Sequence, residues 1–561
     1  MSGATRPQNR NKAVYEESTR IERHLTSPTI GFILGAASIG AVVYLFFLLQ
    51  PQFRGDPLPY TMVIIAEIFL VIQGLVAFWT VINGRTDPRS HGFHQAQDTI
   101  FGQAGSKKAS KSLTKLDVDE ARSVPLYLQG SRVSIDVFIP VYGEPLDEIK
   151  ETATAARNLY GQHKTYILDD GKSDEVMTLA RKLKIGYIRR PTNEDAKAGN
   201  INYALAQTSG DFFVILDADF VANPFLLYET IPFFEDEKMS FVQTPQHYHN
   251  EDSFVSIAAG YMQHVFYSLV QAGKNRFNAA FCVGTNVVFR RRAIDSIGGM
   301  YSQSKSEDIW TSLMLHEAGY RSIYLNKVMA VGKTPETLKA YSKQQLRWAT
   351  GSFEIFLKHN PLFARKLTVD QRLQYLTTTA FYFNGFAIAT LLILPVLQIF
   401  FNLTPISLDI PFWQWFLLYS GFYLSQIILS SYIMGSFRLE TLVLSAASFP
   451  IYIKAFFNVL TRRDSAWQAT NQQDSYDSPF NYVHMQVYIF VFLSLTSVVG
   501  VWKAIYTNEF SVSIIWILIN TTVFAYFIGS AMHENARLKR QFKQQRAASS
   551  IPIKVMEGER I

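Results

Sequence analysis

The first chemistry in this 561-residue chain is carboxylate at the ends of apolar runs. Asp217-Ala-Asp219 directly follows Phe212-Phe-Val-Ile-Leu216, and Asp169-Asp170-Gly171 closes the run from Thr165 to Leu168. Two aspartates two residues apart at a strand end can share one hard cation. Mg²⁺ or Mn²⁺ fits, since both prefer oxygen ligands and commonly bridge to substrate phosphates. Either pair alone reads equally well as an acidic turn. At neighbouring strand ends the two would repel unless cations or donors offset them, which favours a nucleotide-diphosphate site. Lys197-Ala-Gly199-Asn200 opens a helix, where a lysine and free backbone N–H groups suit an anion. By itself it also fits a solvated helix start.

Two further sets complete the inventory. Ser306-Glu307-Asp308 precedes an amphipathic helix over Ile309 to Ala318. Alone, the triplet reads as an N-terminal cap with acidic residues favouring the helix dipole. As chemistry, Asp308 is a general base that removes a proton from an attacking hydroxyl. In Gln344-Gln-Leu-Arg347-Trp348, positions 344, 347 and 348 share one helix face. That face offers an amide, a cation able to hold a phosphate or carboxylate through paired donors, and an indole platform for a sugar ring. A helix packed on the membrane explains Trp348 but not the full set.

The elements that position these residues divide into apolar spans and one polar domain. From Val133 to Leu216, β patterns alternate with helical stretches, which predicts a parallel α/β sheet whose carboxyl ends carry the ligand site. Uncharged or nearly uncharged runs at 30–49, 60–82, 373–403, 411–437, 482–502 and 511–532 are each long enough to cross a bilayer. The first begins too deep in the chain for a cleaved signal peptide. Thr441 to Leu460, apolar but carrying Pro450 and Lys454, reads as a helix lying along the membrane interface. Lys and Arg concentrate in both tails and are scarce in the short loops at 50–59, 403–410 and 503–510. Both termini and the domain are therefore expected on the cytosolic side of a multi-pass plasma (inner) membrane protein.

Composition agrees. The chain is 48% hydrophobic, 14% aromatic and 18% charged, and charge is scarce against the usual ~25% of soluble domains. Ordinary Gly and Pro counts exclude collagen-like repeats, and a single cysteine, Cys282, excludes a disulfide scaffold or a Cys-based zinc cluster. The net charge of +7 reports topology and gives no reason to invoke nucleic acid.

Taken in order, these motifs resemble the processive family 2 glycosyltransferases, the group of cellulose, curdlan, chitin and hyaluronan synthases. The motifs are Asp169-Asp-Gly171, Lys197-Ala-Gly-Asn200, Asp217-Ala-Asp219, Gln243-Thr-Pro245, Ser306-Glu-Asp308 and Gln344-x-x-Arg347-Trp348. The resemblance covers about residues 131–475 and the flanking spans. It implies a GT-A-like α/β domain inserted between two membrane helices before it and four after. The implied division is a tail at 1–29, spans in 30–82, a linker at 83–130 and the domain at 131–372. Spans in 373–437, an interfacial helix and gating loop at 438–481, spans in 482–532 and a basic tail at 533–561 follow.

By the same resemblance Asp169, Asp170, Lys197, Asp217, Gln344, Arg347 and Thr470 contact the UDP-sugar. Asp217 and Asp219 hold Mg²⁺ or Mn²⁺, Asp308 is the base, and Trp348, Gly284, Thr285 and Glu307 meet the acceptor. The implied reaction inverts the donor's anomeric carbon and passes a growing β-glycan through the enzyme's own spans, amid membrane lipids and unknown accessory export subunits. The chain departs from cellulose synthases in the gating loop, where Trp467-Gln-Ala-Thr470-Asn-Gln472 ends in an amide instead of a lysine. It departs also at Phe281-Cys-Val-Gly284-Thr285-Asn286 and at Ser306, which stands for Thr. These changes leave linkage and sugar open, with UDP-glucose first and chitin- or hyaluronan-type synthesis, or transfer to a lipid carrier, as alternatives. About 29 residues follow Met532, fewer than the ~50 a further folded domain needs, so a cyclic di-GMP-sensing barrel is not expected.

Overall fold

The computed structural model describes residues 27–102 apart from 85, 116–407, single positions between 413 and 432, 436–462, and 477–549 apart from 510. The expected span at 411–437 and the gating-loop positions Trp467 to Gln472, with Thr470 among them, therefore lie outside or largely outside the described residues.

Twelve strands are described. β1 (Leu126–Leu128) and β2 (Ser131–Val133) form a hairpin ahead of the domain. β3 (Ile135–Val141), β4 (Lys164–Asp169), β5 (Gly186–Ile188), β6 (Phe212–Ile215), β8 (Met239–Gln243), β10 (Val287–Arg290) and β11 (Arg321–Tyr324) build one sheet in the order β11-β8-β10-β6-β3-β4-β5. β7 (Val221–Ala222), β9 (His247–Tyr248) and β12 (Ala330–Gly332) make a small second sheet. β3 is buried at all seven positions, as a run of apolar residues covered on both faces requires.

The strands expected to be parallel, β3 to β6, are parallel, and beyond them the sheet is mixed. β10 runs antiparallel to both β6 and β8, with Val287 opposite Ile215 and Gln243. The reversal follows from the long excursion through residues 254–277, which returns the chain from the opposite direction. It also delivers the loop before β10, residues 281–286, to the edge where β3, β4 and β6 end. Phe138, Phe213, Phe289 and Phe241 stack across four adjacent strands with centroid separations of 5.6, 5.2 and 5.5 Å. Cross-strand aromatic pairs of this kind contribute about 0.5–1.5 kcal/mol each beyond their burial.

Among the described residues six helices are long and apolar enough to cross a membrane: Pro28–Leu49 (α1), Pro57–Asn83 (α2), Val369–Phe401, Leu439–Leu460, Phe480–Thr507 and Val512–Gln544. α1 starts cleanly because Ser27 Oγ accepts from Thr29 N and Pro28 occupies the first turn. Glu67, the one acid in α2, is buried within the bundle. The segment read as interfacial, Thr441 to Leu460, falls in Leu439–Leu460, which meets the same length and composition criteria as the spans. It is two helices, Leu439–Ala447 and Phe449–Leu460, broken at Ser448 with Pro450 in the first turn of the second.

Domain and spans join through a close backbone contact. A Cβ on Gly84 would lie 2.1 Å from Gly273 Cα, and one on Gly273 would lie 2.5 Å from the Thr80 carbonyl oxygen. Beside it, Gln374 Nε2 donates to Thr80 Oγ1 at 2.8 Å, and Lys274 Nζ donates to the Gln374 carbonyl at 2.9 Å and to Thr378 Oγ1 at 2.8 Å. Gly273→Ala should therefore lower stability by about 1–3 kcal/mol through overpacking. Gly35→Ala, which has nothing within 4 Å of its Cβ, should be near neutral. Thermal unfolding of the two purified variants measures the difference.

Candidate active site

The carboxyl ends of β3, β4 and β6, the loop before β10 and two helices, Glu307–Glu317 (α3) and Leu338–Lys358 (α4), enclose a cavity of about 670 Å³. Asp170, Lys197, Asp217, Asp219, Gly284, Glu307, Asp308, Gln344, Arg347 and Trp348 all line it. Most of the motifs therefore meet in one place, although they spread over nearly two hundred residues of chain.

Asp217 follows β6 and is held from two sides. Its backbone N–H donates to Thr285 Oγ1 at 2.8 Å, and its carboxylate is paired with Lys197 Nζ. The lysine also donates to the Gly284 carbonyl at 2.8 Å, so the Lys197 ammonium bridges the strand end to the acceptor-type loop. Among the described residues Asp219 has no such counterion. Burial, and then the neighbouring Asp217 charge, push its carboxyl up to about 7. Two carboxylates on one strand end, one of them starved of positive charge, form an all-oxygen donor set that suits Mg²⁺ or Mn²⁺. Glu144, raised by burial and by Asp217, adds a third acid nearby.

Asp308 lies in the first turn of α3. Its Oδ1 accepts from Ile309 N at 2.8 Å, while Oδ2 faces Gly284, where a Cβ would come within 3.4 Å of it and 3.6 Å of Lys197 Nζ. Gly284, at φ +86°, thus keeps open the space between the acid and the lysine. Desolvation first, then the Glu307 charge, lift the Asp308 carboxyl to about 7, against the pull of Lys197 and Arg347. Such an acid changes protonation state near neutrality, as a general base should.

Ser306 departs from its expected role. Its hydroxyl makes no capping bond to α3 and lies buried against α4, where a Cβ on Gly351 would fall 2.0 Å from Ser306 Oγ. The triplet is therefore a contact between the two site helices, and Gly351 is the residue that permits it. On α4 the carboxamide oxygen of Gln344 is buried without a hydrogen-bond partner among the described residues, one turn from Arg347.

Two expected contacts, Asp169 and Thr285, do not line the cavity. Asp169 is fully buried, with Oδ2 accepting from Tyr187 OH at 2.6 Å and Ser173 N at 2.8 Å. Thr285 is buried beneath Asp217 and holds its backbone. Thr470 lies outside the described residues.

Arg190 carries the site without having been singled out in the sequence, and Gln243, named there only as part of a motif, has a structural role. Arg190, buried, binds Asp170 with both arms, Nε to Oδ1 and Nη2 to Oδ2 at 2.6 Å each. It also donates to the carbonyls of Glu194 and Ala196, fixing the loop that presents Lys197. Gly199 is small because a Cβ there would meet Arg190 Nη1 at 2.6 Å and the Glu194 carbonyl at 2.3 Å. Gln243, fully buried, donates to the Thr285 carbonyl at 2.7 Å and accepts from Val283 N at 3.0 Å, so the Gln-Thr-Pro motif shapes the loop around Gly284. The paired acid–guanidinium spacing is invisible locally. The only signal in the sequence was an arginine preceding the Lys-Ala-Gly-Asn run.

Residues 133–351 match the family model described as Glycosyltransferase like family 2, and residues 295–432 match Cellulose synthase. Cellulose synthase 1 of Komagataeibacter xylinus is 38% identical over 260 residues, covering 45% of this chain and 17% of the relative. The cellulose synthase catalytic subunit (UDP-forming) of Xanthomonas axonopodis pv. citri is 36% identical over 261 residues, covering 45% and 36%. The Pseudomonas fluorescens subunit of that name is 34% identical over 278 residues, covering 48% and 38%. The chain thus spans less than half the length of these relatives. Among solved structures, a mannosyltransferase from Pyrobaculum calidifontis in complex with GDP-Man and Mn²⁺ aligns with 71% of this chain and all of its own, at a TM-score of 0.46 and 16% identity.

Removing one member of a buried ion pair leaves an uncompensated charge. Arg190→Ala should cost about 3–5 kcal/mol of stability. Lys333→Ala, whose pair with Glu148 at 2.7 Å is partly exposed, should cost about 0–1 kcal/mol. Denaturation midpoints of the two variants test the ranking.

Proposed function

We propose that this chain, whose residues 133–351 belong to the family 2 glycosyltransferases of GT-A-like fold, is an inverting, processive membrane synthase that polymerises a UDP-sugar, UDP-glucose first, into a β-linked glucan. The observation that carries this reading is the convergence on one cavity of the strand-end aspartates, Lys197, Asp308 and the Gln344, Arg347 and Trp348 face.

Asp217 and Asp219 would hold Mg²⁺ or Mn²⁺, which when bound supplies charge to offset that of the diphosphate. Arg347 offers paired donors to the same diphosphate, and Gln344 an amide beside it. Trp348 provides a flat face for the acceptor sugar, with Glu307 beside Asp308 to receive hydroxyls. Asp308 Oδ2 takes the proton of the acceptor hydroxyl as its oxygen bonds to the donor's anomeric carbon and the bond from that carbon to UDP breaks. Attack opposite the leaving diphosphate inverts the centre, so an α-linked donor yields a β-linked product. The apolar helices that pack directly on α4 support a product path through the spans. The distribution of Lys and Arg supports a cytosolic catalytic domain in a plasma (inner) membrane.

Membranes carrying the protein should convert labelled UDP-glucose to high-mass polymer, and Asp308→Asn should lower the rate at least ~10²-fold, the usual scale of general-base removal. Synthesis unaffected by that change removes Asp308 from the role of base. A product of one added sugar on lipid replaces the polymerase reading with that of a lipid-carrier transferase. A donor screen with UDP-N-acetylglucosamine and UDP-glucuronate, followed by linkage-specific glycanases, fixes the sugar and the bond. Because Asp308 must be unprotonated to act and its carboxyl is raised to about 7, kcat should climb as pH rises through 7. A rate flat from pH 5.5 to 8.5 contradicts this.

A further inference from the structure

Helix α4, which carries Gln344, Arg347 and Trp348, has no acidic residue in its own first turn. Its N-terminus is nonetheless supplied with a carboxylate. Glu534, on the helix Val512–Ser549 that includes the last apolar span, places Oε1 and Oε2 3.0 and 3.2 Å from the Leu338 backbone N–H. The side chain is only 7% exposed. Thr337 Oγ1 takes a second free donor, Ala340 N, at 3.2 Å. A carboxylate on the first N–H groups of a helix satisfies an otherwise unpaired donor and opposes the positive end of the dipole.

The contact sits where it can matter to the cavity. Thr334 and Pro335, a few residues before Leu338, line the cavity, and Gln344 lies under two turns after it. The same segment is held from the domain side by Asn250, which exchanges hydrogen bonds with Thr334 at 2.9 Å in both directions and donates to Glu336 Oε1 at 3.0 Å. Arg537, one turn beyond Glu534, donates to the Glu336 carbonyl at 3.4 Å. The cavity wall and the helix start are thus clamped between the domain and the last membrane helix.

We propose that Glu534 is a positioning residue for the glycosyl-transfer site: by capping α4 from the last membrane helix it fixes where Gln344 and Arg347 meet the donor diphosphate. The proposal rests on the transferase reading for its kinetic arm and on geometry alone for its structural arm. Two substitutions, Glu534→Ala and Glu534→Gln, separate the effects, since the amide keeps one acceptor oxygen and loses the charge. Hydrogen exchange of the full-length protein in detergent or nanodiscs, with no substrate present, should quicken at least fivefold in Glu534→Ala for amides of residues 338–342, less in Glu534→Gln, and not at all in α3. Donor KM should rise at least threefold in Glu534→Ala with a smaller change in kcat, and a capping carboxylate returned in cis by Thr337→Asp in the Glu534→Ala background should recover at least half of that rise.

Unchanged exchange in residues 338–342 overturns the cap, and so does acceleration spread evenly over the domain. Local acceleration with unchanged donor KM in an active enzyme overturns the positioning role. A wild-type protein that releases no UDP from any UDP-sugar defeats the transferase reading and the positioning role that depends on it, and the exchange result then decides the cap alone.

Discussion

Like charges crowded into a small volume are the constraint from which the site follows. Eight carboxylates and four cationic side chains line the cavity among the described residues. Such an excess of negative charge cannot stay ionised unless positive charge is brought to it, and the fold brings it unevenly. Asp170 receives a guanidinium on both oxygens and Asp217 an ammonium, whereas Asp219 and Asp308 have no ion pair among the described residues, and burial lifts both carboxyls to about 7. Of the acids that the proposed mechanism uses, Asp219 and Asp308 are the two left short, while Asp217, the other proposed metal ligand, also carries Lys197. Structural pairing and chemical readiness are in this sense one distribution of charge.

Helix α4 carries the other half of the design. One face lines the cavity and the rest packs on the apolar helices, with Tyr341 OH sharing a hydrogen bond with Ser448 Oγ at 2.9 Å at its flank and Phe353 set edge-on to Tyr382 and Phe383 on the far side. A single helix therefore reports to both environments. Its glycine at 351 is the third condition, because it lets the helix touch Ser306 and so fixes the spacing between Trp348 and the acid in the first turn of α3.

What could be read from sequence was what lies close along the chain. Asp217 and Asp219 leave one strand together, residues 344, 347 and 348 share one helical face, and uncharged runs declare spans by composition. Contacts that need the tertiary fold were silent. Arg190 is twenty residues from Asp170, and only the β4–β5 crossover brings them together. The reversed direction of β10 left no trace in the short run Val287-Val-Phe-Arg290. Ser306 and Glu307 carry the signature of a cap, yet packing against Gly351 outweighs the hydrogen bond that the serine would otherwise make. Asp169 has the same chemistry as Asp170, but strand alternation turns its side chain into the interior.

The joint between domain and spans has a consequence for how such a chain can change over generations. Gly84 and Gly273 touch backbone to backbone, and the Lys274 ammonium donates to the oxygens of Gln374 and Thr378 and lies over the Phe281 ring. A side chain added at either glycine strands the other, and an apolar residue at 374 takes from the buried lysine one of its few partners. These positions form a linkage group whose members drift together or stay fixed, whatever sugar the cavity comes to accept.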